Sequence, residues 1–238
     1  MRRYRLRLLI ESVPQAKYFV TGFLGFGAVG YIATRYLVSK LAFERIGFIE
    51  TPVVPDFTAL EDYGLALPHE VFIDRDRKVV VLLNRVNPDK RYMNSFVDAV
   101  MELVSKLGIE EAILIGGLDA KYREGSEEFR WLRTSRCTRE LEAPLFMKGP
   151  YIVGPLASLL IAFELRGLPA IALFPYTEPE RVDHRAAAKA LEILGRIIGI
   201  EIDVSELISF AEYVEKIEKE VIEQSMTAAQ RRESVMYM

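Results

Sequence analysis

The sequence predicts an α/β fold: a three-layer α/β/α domain with a mainly parallel, mixed sheet. Short apolar runs alternate along the chain with longer helical patterns, an order typical of a sheet covered by helices. The runs at residues 79–83 and 112–115 are continuously apolar, as in strands that are buried on both faces. Glycines follow several of the helical patterns, at the position where helices often end on a left-handed residue.

The first third of the chain is expected to supply strands and one helix. Apolar residues alternate with arginines over residues 4–10, which predicts a strand with one solvated face. Residues 17–22 predict a second strand, after which a glycine turn leads into a helix over about residues 27–42. Residues 46–54 predict a third strand. Residues 55–78 have no helical period, and their turn residues predict loops and a short hairpin.

The rest of the core continues this alternation. Residues 119–128 predict a polar loop, and residues 129–137 resemble an exposed strand. Asp183 is expected to cap the last core helix. The other elements predicted here are strands at 79–83, 112–117 and 170–174, helices at 92–107, 154–166 and 183–199, and a loop at 175–182.

The pattern changes after residue 203. Asp203 and Glu206 have the spacing of a capping box, and apolar residues then recur every three or four positions. Two such heptads are too few for a free-standing coiled coil, so this helix is expected to pack either on its own domain or against another subunit. We therefore divide the chain into a core at 1–203, an amphipathic helix at 204–224 and a mobile tail at 225–238. The predicted seam comprises Leu207, Phe210, Val214, Ile217 and Val221.

Composition excludes several classes of protein. The 238 residues allow one domain with a sizeable core, and a net charge of −3 argues against a protein that coats nucleic acid. The single cysteine, Cys137, excludes an internal disulfide and predicts a buried thiol. No run of about 18 uncharged apolar residues occurs, so no membrane span is expected. The start does not resemble a signal peptide, and we expect a cytoplasmic protein.

The glycine turn allows two interpretations. Gly25, Gly27 and Gly30 have the spacing of a dinucleotide-binding turn, and Glu50 follows at about the distance of a ribose-binding carboxylate. However, Phe26 would crowd the pyrophosphate, and no crossover helix follows Glu50. We favour a structural turn, in which glycines (Gly22 included) permit positive φ angles and close packing of helix on strand. A nucleotide-binding enzyme remains the alternative.

No catalytic or metal-binding set is apparent. His69 is expected in a loop and His184 in the first turn of a helix, and neither has a metal-ligand spacing. Ser158 lies within a predicted helix and outside any G-x-S-x-G pattern. Acidic side chains crowd residues 178–183, which helix capping and the helix dipole explain better than a cation site. We expect no catalytic residue, no metal and no cofactor.

Three segments together resemble the proteasome assembly chaperone 2 family, in its archaeal branch. The first is residues 22–30, followed by a helix and Ile46-Gly47; the second is residues 149–160; the third is residues 178–187, leading to residues 198–203. The resemblance implies a fold similar to the nucleoside phosphorylases without their active site. It also implies a homo-oligomer that acts on the 20S proteasome or its α subunits.

The resemblance directs attention to the last residues of the sequence, Met236, Tyr237 and Met238. They fit the hydrophobic–tyrosine–any (HbYX) pattern of proteasome activators and assembly factors. A tail of this kind can enter a groove between subunits, where its terminal carboxylate pairs with a lysine and the tyrosine ring packs. Several tails on one oligomer gain affinity through effective concentration.

Three functional hypotheses follow. The leading one is a non-enzymatic chaperone or activator that docks its tails on the 20S proteasome α ring and binds neither nucleic acid nor membrane. The alternative is an enzyme of nucleoside phosphorylase or nucleotide-binding type that uses the glycine turn. The third is a scaffold whose helix at 204–223 binds another partner.

Overall fold

The computed structural model describes residues 6–41, 43–218 and 220. Eleven strands and five α-helices are assigned within them. The helices are α1 (Val29–Lys40), α2 (Met93–Leu107), α3 (Gly154–Leu165), α4 (His184–Ile198) and α5 (residues 205–218). The strands are β1 (Arg7–Ile10), β2 (Tyr18–Gly22), β3 (Glu44–Glu50), β4 (Leu60–Glu61), β5 (Gly64–Leu65), β6 (His69–Asp74), β7 (Val79–Asn84), β8 (Glu111–Ile115), β9 (Leu118–Asp119), β10 (Phe129–Arg133) and β11 (Ala170–Thr177).

Nine strands form one mixed sheet in the order β1-β3-β6-β7-β2-β8-β11-β10, with β9 paired to β11. Strands β7, β2, β8 and β11 run parallel and occupy the centre. The pairs among β1, β3, β6 and β7 are antiparallel, as is the β10–β11 pair. The predicted α/β class is confirmed, with a parallel centre and antiparallel flanks; β4 and β5 form a separate hairpin.

Helices cover both faces of the sheet. Strand β2 shows the division, because Phe19 packs in the cluster with α2 and α3 whereas Val20 packs in the cluster with α1 and α4. Apolar side chains on both faces of the central strands are buried, which explains their continuous apolar runs. No helix in the described part of the chain is long and apolar enough to cross a membrane.

The predicted helix ends are confirmed where local chemistry fixes them. Asp183 caps α4 by accepting a hydrogen bond of 2.9 Å from the backbone N–H of Ala186. Gly108 ends α2 and Gly199 ends α4, with φ angles of 65° and 77° that favour glycine. These short-range signals are contained in the sequence itself.

The expectation of loops over residues 55–78 is partly wrong. Residues 60–65 do form a hairpin, but β6 is a fully buried strand of the large sheet and pairs with both β3 and β7. Polar residues at His69, Glu70 and Asp74 hide its apolar character. Buried polar partners compensate these side chains, so tertiary structure overrides the local pattern.

Two strand boundaries and the burial of one strand also differ from the prediction. Strand β3 ends at Glu50, opposite Arg7, rather than continuing to residue 54. Strand β11 continues through Pro175 to Thr177, because β9 and β10 keep pairing with it. Strand β10 is not exposed: the segment at 143–146 covers it, and Trp131 donates to the carbonyl of Ala143 at 2.8 Å.

Helix α5 packs against the same face of the sheet as α1 and α4. Leu207 joins the core on this face, and Ala211, one turn later, is also buried. Phe210 and Ile217, which the predicted seam places inside, are exposed. The capping box is half formed, because Asp203 accepts from the N–H of Ser205 at 2.9 Å whereas Glu206 pairs with Lys40. Val221 lies outside the described residues.

Candidate functional site

The glycine turn lies at the carboxyl end of β2, within the parallel centre of the sheet. Gly22 ends β2, Gly25 opens the turn, and Gly30 lies in the first turn of α1. Between them, Gly27 and Ala28 have φ angles of 62° and 52°, in the left-handed region. These two residues delay the start of the helix that the sequence predicted from about residue 27.

Close packing accounts for three of these glycines, two of them against backbone and one against a side chain. A Cβ on Gly30 would lie 2.3 Å from the carbonyl oxygen of Ile115, in β8. A Cβ on Gly22 would lie 2.3 Å from the carbonyl oxygen of Gly30. A Cβ on Gly27 would lie 2.2 Å from Oγ1 of Thr177. Helix α1 therefore reaches β2 and β8 only because side chains are missing at these positions.

The chain itself occupies two of the backbone N–H groups that a phosphate could use. The N–H of Gly27 donates to the carbonyl of Pro179 at 3.3 Å, and the N–H of Ala28 donates to Gly25 at 2.9 Å. The N–H of Asp183 in turn donates to the carbonyl of Gly27 at 2.9 Å. The turn is thus closed by the loop before α4, and the amides of Gly27 and Ala28 are not free for an anion.

Glu50 does not lie where a ribose-binding carboxylate is required. It ends β3, which two strands, β6 and β7, separate from β2. In a dinucleotide-binding fold the acidic residue ends the strand beside the glycine turn. Glu50 instead pairs with Arg7 of β1 across 2.6 Å.

The two histidines lie in different surroundings. His69 was expected in a loop, but it opens β6 and is 1% exposed. Its Nδ1 lies 2.8 Å from Oδ1 of Asn84, and burial lowers its pKa to about 4. His184 opens α4 as predicted, with its ring centroid 4.6 Å from that of Phe210, and burial lowers its pKa as well.

The remaining chemical candidates occupy structural positions. Ser158 lies inside α3, where its Oγ is 3.4 Å from the carbonyl oxygen of Gly154. Cys137 is buried as predicted, and burial raises the pKa of its thiol, which disfavours the nucleophilic thiolate. Within residues 6–41, 43–218 and 220, no group of three or more His, Cys, Asp or Glu side chains is arranged to hold a metal ion.

A buried polar chain at the ends of β2 and β7 was not predicted. The hydroxyl of Thr21 donates to the carbonyl of Leu82 at 2.9 Å, and Nδ2 of Asn84 donates to Oγ1 of Thr21 at 2.9 Å. Oδ1 of Asn84 then faces Nδ1 of His69. The available signal was a polar residue at the end of each of two apolar runs, Thr21 and Asn84.

A buried ionic cluster was also missed. Glu70 is fully buried, with Oε1 3.0 Å from Arg45 and Oε2 3.1 Å from Arg85. The hydroxyl of Tyr63 donates to Glu70 at 3.2 Å, and burial, helped by this carboxylate, raises the pKa of Tyr63 to about 12. Glu61 pairs with Arg85 at 3.0 Å. The residues of this cluster come from four separate segments of the chain, so no local sequence spacing predicts it.

The outward face of α3 is apolar and unpartnered among the described residues. No charged residue occurs from Gly149 to Phe163. Ile161 is 59% exposed, and Leu165 one turn later is exposed as well. Tyr151, just before the helix, is 91% exposed. A helix at the surface of a monomer normally turns a polar face to water, so this face is a candidate interaction surface.

The predicted partner-binding residues Met236, Tyr237 and Met238 lie outside the described residues. Helix α5 is the last described element before them. Tyr213 and Ile217 on this helix are exposed, while Arg185 of α4 pairs with Glu215 at 2.9 Å.

Comparison with known proteins gives consistent matches over nearly the whole chain. A model of the PAC2 family matches residues 19–222. The uncharacterized protein MJ0106 of Methanocaldococcus jannaschii is 24% identical over 222 residues, which cover 92% of each chain.

Two solved structures from Pyrococcus furiosus share the fold. The structure of PbaA, described as an archaeal homolog of proteasome-assembly chaperone, has a TM-score of 0.78 and 22% identity, over 94% of this chain and 99% of that one. The structure of PbaB, described as an archaeal proteasome activator, has a TM-score of 0.71 and 23% identity, over 91% of this chain and 98% of that one.

Proposed function

Because the chain belongs to the PAC2 family, we propose that it is a non-enzymatic proteasome assembly chaperone or activator. The observation that carries the proposal is the agreement of the fold with PbaA and PbaB over more than nine-tenths of this chain. The closed glycine turn gives little support to the nucleotide-binding alternative. A likeness to nucleoside phosphorylases stays a prediction of the sequence.

The proposed contact is the C-terminal tail docked on the 20S proteasome α ring. Met236 would fill an apolar pocket, the ring of Tyr237 would pack with its hydroxyl hydrogen-bonded, and the carboxylate of Met238 would pair with a lysine. One short tail binds weakly because ordering it costs conformational entropy. Several tails on one oligomer would bind together, which is why the proposal includes a homo-oligomer.

We assign the subunit contact to the outward face of α3, with a second copy of the chain as its occupant. Every copy carries the same apolar face, so association of identical chains would bury it in each of them. Ala157 and Ser158 lie near the middle of this face, where small side chains allow a neighbouring subunit to approach closely. Helix α5 packs on the opposite side of the sheet, away from this contact.

Removal of the tail is expected to abolish proteasome binding. Tyr237→Ala, or deletion of residues 236–238, removes the groups that the α-ring pockets would hold, while the described core is unchanged. A pull-down of 20S proteasome by the tagged full chain measures the effect, and peptide hydrolysis or α-ring formation distinguishes an activator from an assembly chaperone.

The matched control is Tyr213→Ala, which removes an exposed tyrosine from α5 rather than from the tail. It should bind like the unmodified chain. Undiminished binding by the deleted chain would refute tail docking. Capture of another protein, with proteasome subunits absent, would favour the scaffold hypothesis.

Ile161→Glu is expected to dissociate the oligomer into monomers of 27.1 kDa. The substitution puts a charge in the middle of the proposed contact, where burial without a partner costs several kcal/mol. The control is Ile217→Glu on α5, which makes the same change at a side chain that is 41% exposed. Light scattering coupled to size-exclusion chromatography measures the mass of the oligomer. If Ile217→Glu gives monomers and Ile161→Glu does not, the subunit contact lies on α5 instead of α3.

A further inference from the structure

A cavity of about 200 Å³ lies beside the buried end of the Thr21–Asn84–His69 chain. His69 of β6 lines it together with residues that follow β7, among them Val86 and Tyr92. Val53, which also lines it, is 42% exposed and belongs to the rim. An engineered apolar cavity of about 150 Å³ binds benzene, so this volume suits a molecule of one or two rings.

Hydrogen bonds fix the tautomer of His69. Nδ2 of Asn84 lies 2.9 Å from Oγ1 of Thr21 and 3.1 Å from the carbonyl oxygen of Gly22. The carbonyl can only accept, so the nitrogen of the amide must face it, and the amide oxygen must face His69. Nδ1 of His69 therefore carries the proton and donates to Asn84. Nε2 is left with an unprotonated lone pair.

Among the described residues, this lone pair has no hydrogen-bond partner. The hydrogen bond to Asn84 is the one that His69 makes. His69 itself lines the cavity. With Nδ1 held by Asn84, Nε2 is the ring nitrogen left for a molecule that enters it. Since burial lowers the pKa of His69 to about 4, the ring stays neutral at neutral pH.

The cavity lies at the edge of the sheet where β3 and β7 end and β6 begins. Val53 follows β3, His69 opens β6, and Val86 follows β7. Asn87, which also lines the cavity, donates to the carbonyl of Leu24, after β2, at 2.6 Å.

We propose that this cavity binds a small neutral aromatic or heteroaromatic molecule whose N–H or O–H group donates to Nε2 of His69. Apolar walls at Leu6 and Val86 would contact the ring of the ligand, while the carboxylate of Asp89, which also lines the cavity, is paired with Arg91 at 2.7 Å. The lone pair of Nε2 selects a donor over an apolar molecule of the same shape, because an acceptor that is left without a donor costs free energy. This site is independent of the proposed proteasome contact.

Phenol and toluene test the site, since they share a shape and only phenol has a donor. The ¹⁵N-labelled full chain contains two histidines, so its imidazole spectrum holds two rings, and His184→Gln assigns them. Phenol is expected to move the Nε2 resonance of His69 saturably, without changing the tautomer. Toluene should leave this resonance in place and bind about tenfold more weakly, as judged from methyl shifts of Leu6 and Val86.

Two variants control the experiment. Val53→Trp fills the rim, and should abolish the response to phenol while the free His69 signals stay unchanged. His69→Phe removes the acceptor, and should remove the preference for phenol over toluene in a chain that circular dichroism shows to be folded. The proposal is overturned if phenol leaves Nε2 unmoved, if toluene binds as tightly as phenol, or if Val53→Trp responds like the unmodified chain.

Discussion

Replacing Gly30 with alanine is expected to destabilise the fold by more than about 4 kcal/mol, the range of the most damaging single substitutions. The new Cβ would lie 2.3 Å from the carbonyl oxygen of Ile115 and 2.7 Å from the backbone nitrogen of Phe23. Both are backbone atoms at the centre of the sheet, so neither can move without disturbing strand pairing. Urea denaturation followed by circular dichroism measures the loss.

Gly25→Ala is the matched control within the same turn. Nothing lies within 4 Å of a Cβ at Gly25, and its φ of −134° suits any residue. Its unfolding free energy should stay within about 0.5 kcal/mol of the unmodified chain. A dinucleotide-binding turn would need Gly25 as its first glycine. Damage at Gly25 with tolerance at Gly30 would therefore contradict the packing role.

Much of the parallel centre could be predicted, because its signals are local. The continuous apolar runs of β7 and β8 show burial on both faces, and Asp183 and Gly108 mark helix ends by their own backbone chemistry. Each of these features depends on residues within a few positions of one another. A single sequence contains that information in full.

The antiparallel flank could not be predicted as well, because its signals are long-range. Strand β6 carries His69, Glu70 and Asp74, and looks like a loop until their partners are known. Glu70 is paired by Arg45 and Arg85, which lie 25 and 15 positions away. The spacing of these residues in sequence says nothing about their distance in space.

The candidate sites also combine features that the sequence shows with features that only the structure shows. The uncharged run from Gly149 to Phe163 is visible in the sequence, but only the structure shows that one side of α3 stays exposed. The cavity beside His69 depends on four segments that meet where β3 and β7 end and β6 begins. The glycine spacing, in contrast, is visible at once, and its packing role becomes clear from the positions of Ile115 and Thr177.

Replacing Glu70 with leucine is expected to cost about 3–5 kcal/mol, as is typical when one partner of a buried ion pair is removed. The side chain of Glu70 is 0% exposed, and that of Arg85 is 10% exposed. Leucine would fill the volume but would accept no hydrogen bond from Arg45, Arg85 or Tyr63. The guanidinium of Arg85 would then keep Glu61 as its only carboxylate among the described residues. Urea denaturation at neutral pH measures the effect.

Two further variants separate the buried charge from charge in general. Glu50→Leu removes a carboxylate from the Arg7 pair, whose side chains are 66% and 47% exposed, and should cost less than about 1 kcal/mol. Adding Arg85→Met to Glu70→Leu should recover part of the loss, because the unpaired cation is removed with its partner. The cluster does not stabilise β6 through its buried charge if Glu70→Leu lowers the free energy of unfolding no more than Glu50→Leu does. The same conclusion follows if the double variant is less stable than Glu70→Leu alone.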